Sequence, residues 1–572
     1  MAQGRDAPTY NGSSMSKRSG VALFLLLAAL FLVVNRGAYK GYFQDDEVDN
    51  LSWAPNGPAS AYLKGVLSPR FEPNNFRPVG HFYFHEAGLR FGLDFPKYVL
   101  AIHLFHLLNV WLVWLLARRL GAPPLAAAAA CFFFALHMAL FDAVWKPMYV
   151  FDVLCATFCL LSLLLYARGR WVLAFVSFWL AYKAKEVAVM LPLVLACYEI
   201  WFGKRRWKTL APFFMVSLSF GLQGLLLNPN RGNDYTFRFT PAALATTAVF
   251  YAGRVFLVPY LGFLAPLGAL LTRNRRVWFG FAMMGLLFVP MLFLPGRLFS
   301  AYCYVPFTGL AVAFAGLAEG VRPLWLAVFL LAWLPVDYQA LRSARRETLA
   351  NGDEAREWIA TLARYARTTP PAATFLYAGT PGGYHHWGVE GALKYFYKGG
   401  KFDVLPLADR AALTQAGDGR TTLLSWNRAT HKLDIADLAP GASDLSYIEI
   451  AGAAPPWQLE KGWYQLEGAY RWIAPMATAR LQRPAGARQF ELRVLVGAEL
   501  LEKAGPLTVR ISLDDRDLEP RRFTVAGWQT TRWDLPPKPA GPALVTFHSE
   551  PPFRPATDPR LLGIAIGGFG FR

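Results

Sequence analysis

The sequence predicts a multispanning α-helical membrane protein whose C-terminal third is a small α/β region followed by a β-sandwich. Three observations predict it. The 572-residue chain is 54% hydrophobic and only 17% charged, too apolar for an ordinary soluble enzyme. Its basic residues gather in short groups between apolar runs: Lys17/Arg18, Arg118/Arg119, Arg168/Arg170, Lys204/Arg205/Arg206 and Arg273/Arg275/Arg276. That is the pattern of cytoplasmic loops. After about residue 340 the long apolar runs give way to short alternating segments separated by Pro, Gly and Asp.

A basic tail, 1–19, precedes the first apolar run at 20–37. The run lacks a small-residue cleavage site and continues into NRGAYKGY, so it reads as an uncleaved first span. At about 20 residues per span, further segments follow at 97–117, 123–141, 148–167, 171–184, 187–202, 209–227, 242–271, 277–295, 302–320 and 323–339, about eleven spans in all. The segment 171–184 is short, and 242–271 is interrupted near Pro259. With Lys17/Arg18 inside, alternation places the other four basic clusters inside as well. The long loop 38–96, the turns AYKAKE and LPGRLFSAYCY, and everything beyond residue 340 then share the outer face. The expected membrane domain is 20–340.

SARRETLANGDEAREWIATLARYA reads as an amphipathic helix leaving the membrane. ATFLYAG, KFDVLPL and TTLLSWNRATHKLDI suggest a small α/β layer, giving a region 341–455. ARQFELRVLV, LTVRISLD, RRFTVAGWQTTRWDL and ALVTFHS have the spacing of a β-sandwich at 456–572. Trp457, Trp463, Trp472, Trp528 and Trp533 are either sugar-stacking platforms or core and interface packing, and packing is the better reading. The formal charge of +19 raises the question of nucleic acid, but no basic stripe with interleaved aromatics occurs in a polar segment. The five cysteines all lie in apolar runs, which gives neither a disulfide framework nor zinc spacing.

Three consecutive acids, Asp45, Asp46 and Glu47 in GYFQDDEVDN, sit at the mouth of the first span. Charges this close to lipid are usually functional. The same face receives Arg77, Asp142, Lys185, Glu186 and Arg297. Each alone reads as an interfacial anchor, whereas their convergence suggests a shared polar cavity. His81, His85 and Glu86 have a helical spacing that suits a metal, but three ligands do not converge in sequence and no metal is expected.

In order along the chain, FQDD, FRPVGHFYF, HLLN, FFALHM, FDAVWKPMYVFDVLCATF, KAKEVAVMLPLVLACYE and YCYVPFTGL resemble the GT-C superfamily. These are membrane glycosyltransferases that use polyprenyl-phosphate-linked sugars. The chain looks most similar, over about residues 20 to 320, to the transmembrane-and-tetratricopeptide O-mannosyltransferase branch and its bacterial relatives. No 34-residue repeat follows. Where that branch carries an arginine before Asp152, this chain has Val150 and Phe151, with Lys146 one helical turn away as a candidate substitute. His137 is followed by Met138 rather than proline.

The resemblance implies inverting transfer of a single hexose or pentose from a polyprenyl-phosphate donor to a protein or envelope glycan outside the cytoplasm. It also implies a bacterial inner-membrane location and no obligatory cofactor or metal. The bilayer, the lipid-linked donor and the acceptor are the expected partners. Asp45 is the expected base, with Asp46 orienting it, although Asp46–Glu47 matches the superfamily's Asp–Glu pair equally well. Asp142 stands as the second external acid, contacting the acceptor or a cation, or capping a helix. Lys185 is expected at the donor phosphate with Glu186 holding it, or the two neutralise each other. Arg77 and Arg297 are further phosphate candidates. Glu47, Lys146, Tyr302, Tyr304 and His106 complete the set, the tyrosines reading equally as an aromatic belt and His106 as packing. Two other function classes remain in view: a glycolipid transporter or flippase, which would show paired internal halves that are not evident, and a non-catalytic glycan-binding scaffold.

Overall fold

The computed structural model describes residues 17–70, 76–227, 232–270, 272–407, 420–428, 430–438, 444–451, 458–514, 516–555 and 560–572. The chain divides into two compact units, Met1–Asp353 and Glu354–Arg572. Helices of the first unit are α1 (Lys17–Val34), α2 (Asp45–Trp53), α3 (Ala59–Leu67), α4 (Pro78–Phe91), α5 (Phe95–Arg119), α6 (Pro124–Leu136), α7 (Phe141–Trp145) and α8 (Val150–Ala167). They continue with α9 (Trp171–Ala184), α10 (Leu191–Trp201), α11 (Ala211–Leu226), α12 (Pro241–Val255), α13 (Leu267–Leu270), α14 (Arg275–Leu292) and α15 (Tyr304–Ala318). A 46-residue helix, α16 (Pro323–Thr368), runs without interruption through residue 340, where the sequence suggested a change of domain.

Each of the eleven apolar segments holds a helix, but fewer are full-length spans. Among the described residues six helices are long and apolar enough to cross a membrane, or seven if the pair Pro124–Leu136 and Met138–Trp145, bent by 45°, is one span. The 14 residues of α9 reach only about 21 Å at 1.5 Å per residue, short of a hydrocarbon core about 30 Å thick. The shortfall arises where apolar runs break. Lys185 is extended (φ −160°, ψ 143°) between α9 and α10, and α12 stops before Leu257 and Tyr260, both left-handed at φ 60° and 62°. The bend after α6 is pinned by polar groups: His137 Nδ1 accepts from the Ala139 amide at 3.1 Å, and Asp337 Oδ1 of α16 accepts from the Met138 amide at 2.8 Å. Those two acceptors hold the bend with no proline after His137.

Packing in this unit depends on small residues as well as large ones. A Cβ on Gly280 would fall 2.3 Å from the Ala313 amide, and one on Gly309 2.6 Å from that of Met284. The α14 and α15 backbones therefore approach as closely as glycine permits, the small-residue packing common between membrane helices. The loop 38–96 is itself helical, with α2, α3 and α4 burying Val48, Leu51, Tyr62 and Phe84.

In the second unit, β1 (Thr374–Ala378), α17 (His386–Phe396), β2 (Asp403–Pro406), β3 (Thr421–Asn427) and β4 (Lys432–Leu438) form a four-stranded sheet of order β2-β1-β3-β4. β1 is parallel to both neighbours, and β3–β4 is an antiparallel hairpin. The rest is a sandwich built from β5 (Tyr447–Glu449), β6 (Trp463–Glu467), β7 (Tyr470–Ile473), β8 (Met476–Arg483), β9 (Gln489–Val496) and the short α18 (Ala498–Ala504). It is completed by β10 (Leu507–Leu513), β11 (Arg516–Asp517), β12 (Arg521–Phe523), β13 (Gly527–Asp534), β14 (Gly541–Glu550) and β15 (Ala565–Phe571). One sheet runs β11-β10-β14-β8 and the other β13-β9-β15-β7-β6. β5 pairs with β15, so the sandwich begins before the expected start at residue 456. Alternation along β9, β10 and β14 sends Phe490, Leu492, Val494, Ile511, Val545 and Phe547 into one core between the sheets.

Candidate active site

Helix α2 begins in the acidic run. Asp45, Asp46 and Glu47 occupy its first turn, where carboxylates complement the positive end of the helix dipole. Their surroundings differ sharply. Glu47 is fully buried; its Oε2 accepts from the Gln44 amide at 2.6 Å and its Oε1 from the Met148 amide at 3.1 Å. Burial pushes its carboxyl up to about 7, the two amides offset part of that, and Asp46 adds to it. Glu47 thus ties the start of α2 to the turn before α8. Asp45 is buried as well, whereas Asp46 is half-buried and lies within electrostatic reach of Arg297 and Tyr235.

Three cations line one cavity of about 310 Å³ in the first unit: Arg77, Lys185 and Arg297. Arg77, just before α4, donates from Nε to both Glu186 oxygens, at 2.9 and 3.1 Å. Burial alone would lower Arg77, but the charge and hydrogen bonds of Glu186, together with Tyr302 and Asp152, hold the guanidinium above its usual range. Burial would likewise raise Glu186, and Arg77 brings it below the ordinary carboxylate value. Lys185 Nζ bonds Asp152 Oδ2 at 2.5 Å and lies 4.4 Å from the centroid of the Tyr302 ring. Arg297 sits between the rings of Tyr235 (4.3 Å) and Phe299 (4.5 Å), and donates to the Tyr302 hydroxyl at 3.4 Å. Away from these charges the cavity wall is apolar: Phe220, Gly221 and Leu225 of α11, Val289 and Met291 of α14, and Phe237, Phe239 and Phe293.

Several sequence expectations change here. Lys185 and Glu186 do not neutralise or hold each other: Lys185 is held by Asp152, and Glu186 holds Arg77. Lys146 does not replace an arginine beside Asp152; it pairs with Asp142 at 2.8 Å. Asp142 does not line this cavity and instead joins that pair beside Tyr149. Tyr302 faces the cavity, but Tyr304 does not. His106 Nδ1 lies 2.7 Å from the Tyr304 hydroxyl, which also accepts from Asn109 at 3.2 Å, and this network lies buried between α5 and α15. His81, His85 and Glu86 do not converge as a trio: His81 Nδ1 accepts from the Arg77 amide, while His85 Nδ1 faces the Ala54 carbonyl and its Nε2 lies 3.8 Å from Glu86, which also pairs with Arg90. Asp152, Tyr235 and Tyr182 join the site without having been singled out as site residues. A lone acid within the apolar run FDVLCATF was the available signal for Asp152.

No family model and no curated protein matches this sequence. Among solved structures the chain is similar to ArnT from Cupriavidus metallidurans in the apo state, at 16% identity and a TM-score of 0.45, over 73% of this chain and 94% of that one. It is similar to the same protein bound to undecaprenyl phosphate, at 15% identity and a TM-score of 0.43, over 72% and 94%. A third similar structure is the arabinofuranosyltransferase AftD from Mycobacteria, at 11% identity and a TM-score of 0.44, where 98% of this chain covers 58% of the other. At these scores the likeness carries no residue role across.

Proposed function

We propose that the chain is an integral-membrane glycosyltransferase of the GT-C type. In this reading it moves one sugar from a polyprenyl-phosphate donor to an acceptor outside the cytoplasm, with inversion. The observation that carries the reading is the cavity, which joins three cations at one end to an apolar trough. A phosphate with a prenyl tail needs that pairing, and a soluble nucleotide sugar would leave the trough without use.

The acceptor hydroxyl oxygen attacks the anomeric carbon from the side opposite the phosphate. The carbon–oxygen bond to phosphate breaks, and polyprenyl phosphate departs with the electron pair. Asp46, the acid closest in field to Arg297, takes the hydroxyl proton. Arg77, Lys185 and Arg297 stabilise the charge that grows on the leaving phosphate. Glu186 and Asp152 fix two of those cations in place, so little reorganisation is needed as the charge develops.

The basic-cluster pattern supports an outward-facing cavity, and an inner bacterial membrane supplies such a lipid and such an acceptor. The acceptor is a protein or an envelope glycan, and a mannosyl donor is the first to try. The decisive experiment supplies purified protein in nanodiscs with polyprenyl-phosphate-linked mannose or arabinose and a surrogate alcohol. Release of free polyprenyl phosphate together with the glycoside is expected. Movement of intact donor across the bilayer with no release would replace this reading with a flippase.

A further inference from the structure

The sandwich carries a second feature, remote in sequence from every residue given a role above. Of the four described tryptophans singled out in this region, three pack: Trp533 is in the core, Trp463 stacks on Phe569 at 5.3 Å, and Trp472 lies half-buried against the same core. The fourth, Trp528, faces outward from the β13-β9-β15-β7-β6 sheet. Direct pairings place Trp528, Leu495, Ala565 and Trp472 in one row across four strands. Trp528 is 48% exposed, and Tyr470 stands beside both indoles, its centroid 6.3 Å from Trp528 and 6.2 Å from Trp472. A Cβ on Gly567 would meet the Trp528 ring at 2.4 Å, so the indole rests on bare backbone there.

We propose that this face binds a neutral saccharide chain. A pyranose or furanose ring offers an apolar face of C–H groups and a rim of hydroxyls. The neighbouring rings of Trp528 and Tyr470 take the first, and planar charged groups take the second. The charge pattern selects a neutral occupant. Arg493 pairs with Glu449 next to Trp528, and Arg532 and Arg572 both pair with Glu491 at 2.7 and 3.3 Å. These guanidiniums already have carboxylate partners, so an acidic polymer would have to compete with them, whereas hydroxyls bond to both members of a pair without separating them. The inference stands apart from the transfer chemistry, since none of these residues belongs to the cavity.

The test uses the full chain in neutral-lipid nanodiscs over immobilised mannan, arabinan and dextran, with polygalacturonate and phosphatidylglycerol vesicles as alternatives. At least one neutral polysaccharide is expected to retain the protein, insensitively to salt. Trp528→Ala is expected to weaken that retention by about tenfold or more, the scale of one lost stacking contact. Tyr470→Ala gives a second reading should the first variant fold poorly. Asp46→Asn is expected to bind as well as the unaltered chain, which separates loss of binding from loss of catalysis. Retention by none of the three, retention unchanged in both aromatic variants, or salt-sensitive retention on the acidic polymer or vesicles alone would each overturn the proposal.

Discussion

Asp46 and Glu47 are neighbours in sequence with different fates in the fold, and two predictions separate them. Asp46→Asn keeps the shape and removes the proposed proton acceptor. Turnover is expected to fall by about 10²–10⁴-fold, and by less in Asp45→Asn, as read by release of polyprenyl phosphate at saturating donor. Normal turnover in Asp46→Asn would remove the base from the mechanism. Glu47 has a structural signature instead. Its carboxyl titrates near 7 when folded, against an ordinary 4.5, so the folded chain binds a proton that the unfolded chain has released. Stability from this group is therefore full below about pH 4.5 and lost as pH rises towards 7, on the order of 3 kcal/mol. Melting curves between pH 4.5 and 7.5 are expected to slope downward for the native chain and to flatten in Glu47→Gln. The residue scale was also where the sequence misled. Adjacent opposite charges at Lys185 and Glu186 suggested a pair, but the extended backbone at Lys185 sends the two side chains to Asp152 and Arg77. Partners 33 and 109 positions away leave no local trace.

At the scale of elements, the apolar runs revealed where helices form and concealed how far each continues. The breaks at Lys185 and near Pro259 were legible, as the turn AYKAKE and the interruption of 242–271, whereas the 45° bend between Leu136 and Met138 was not. The helices inside the loop 38–96 were also hidden, because α2 to α4 bury side chains against other elements and leave weak periodicity of their own. One element tests the lipid reading. On α11, a Cβ at Gly221 would have only Val189 near it, at 3.8 Å, so the space beyond belongs to the apolar trough. Gly221→Phe should fold and fill that space. The donor KM is expected to rise by about tenfold or more while kcat for bound donor holds, because binding shared by ground and transition states is what is lost. An unchanged KM for a long-chain donor would place the tail elsewhere.

For the whole molecule, the division into an apolar helical part and a β-rich part was legible from composition alone, since one burial rule gives runs and the other gives alternation. The boundary was not, because α16 carries helical periodicity straight through the change in polarity. Topology is the prediction at this scale. Counting positive loops leaves the C-terminus outside. A phosphatase fused after Arg572 is expected to be active and a fluorescent protein there dark; the opposite pair of readouts would put the cavity on the cytoplasmic face.

The three cations fixed in the cavity also bear on what happens after the bond has broken. A sugar phosphodiester carries one negative charge, and the monoester left behind carries between 1.5 and 2 near neutral pH, as phosphate monoesters do. In the proposed reaction Arg77, Lys185 and Arg297 would then hold the spent carrier more firmly than the fresh one, and departure of the empty lipid would be the slow event. Rapid mixing should show a burst, with one equivalent of glycoside formed per protein followed by a slower steady rate. Added polyprenyl phosphate should compete with donor, and raised ionic strength should speed the steady phase. A linear time course from the first turnover would show that the carrier leaves freely.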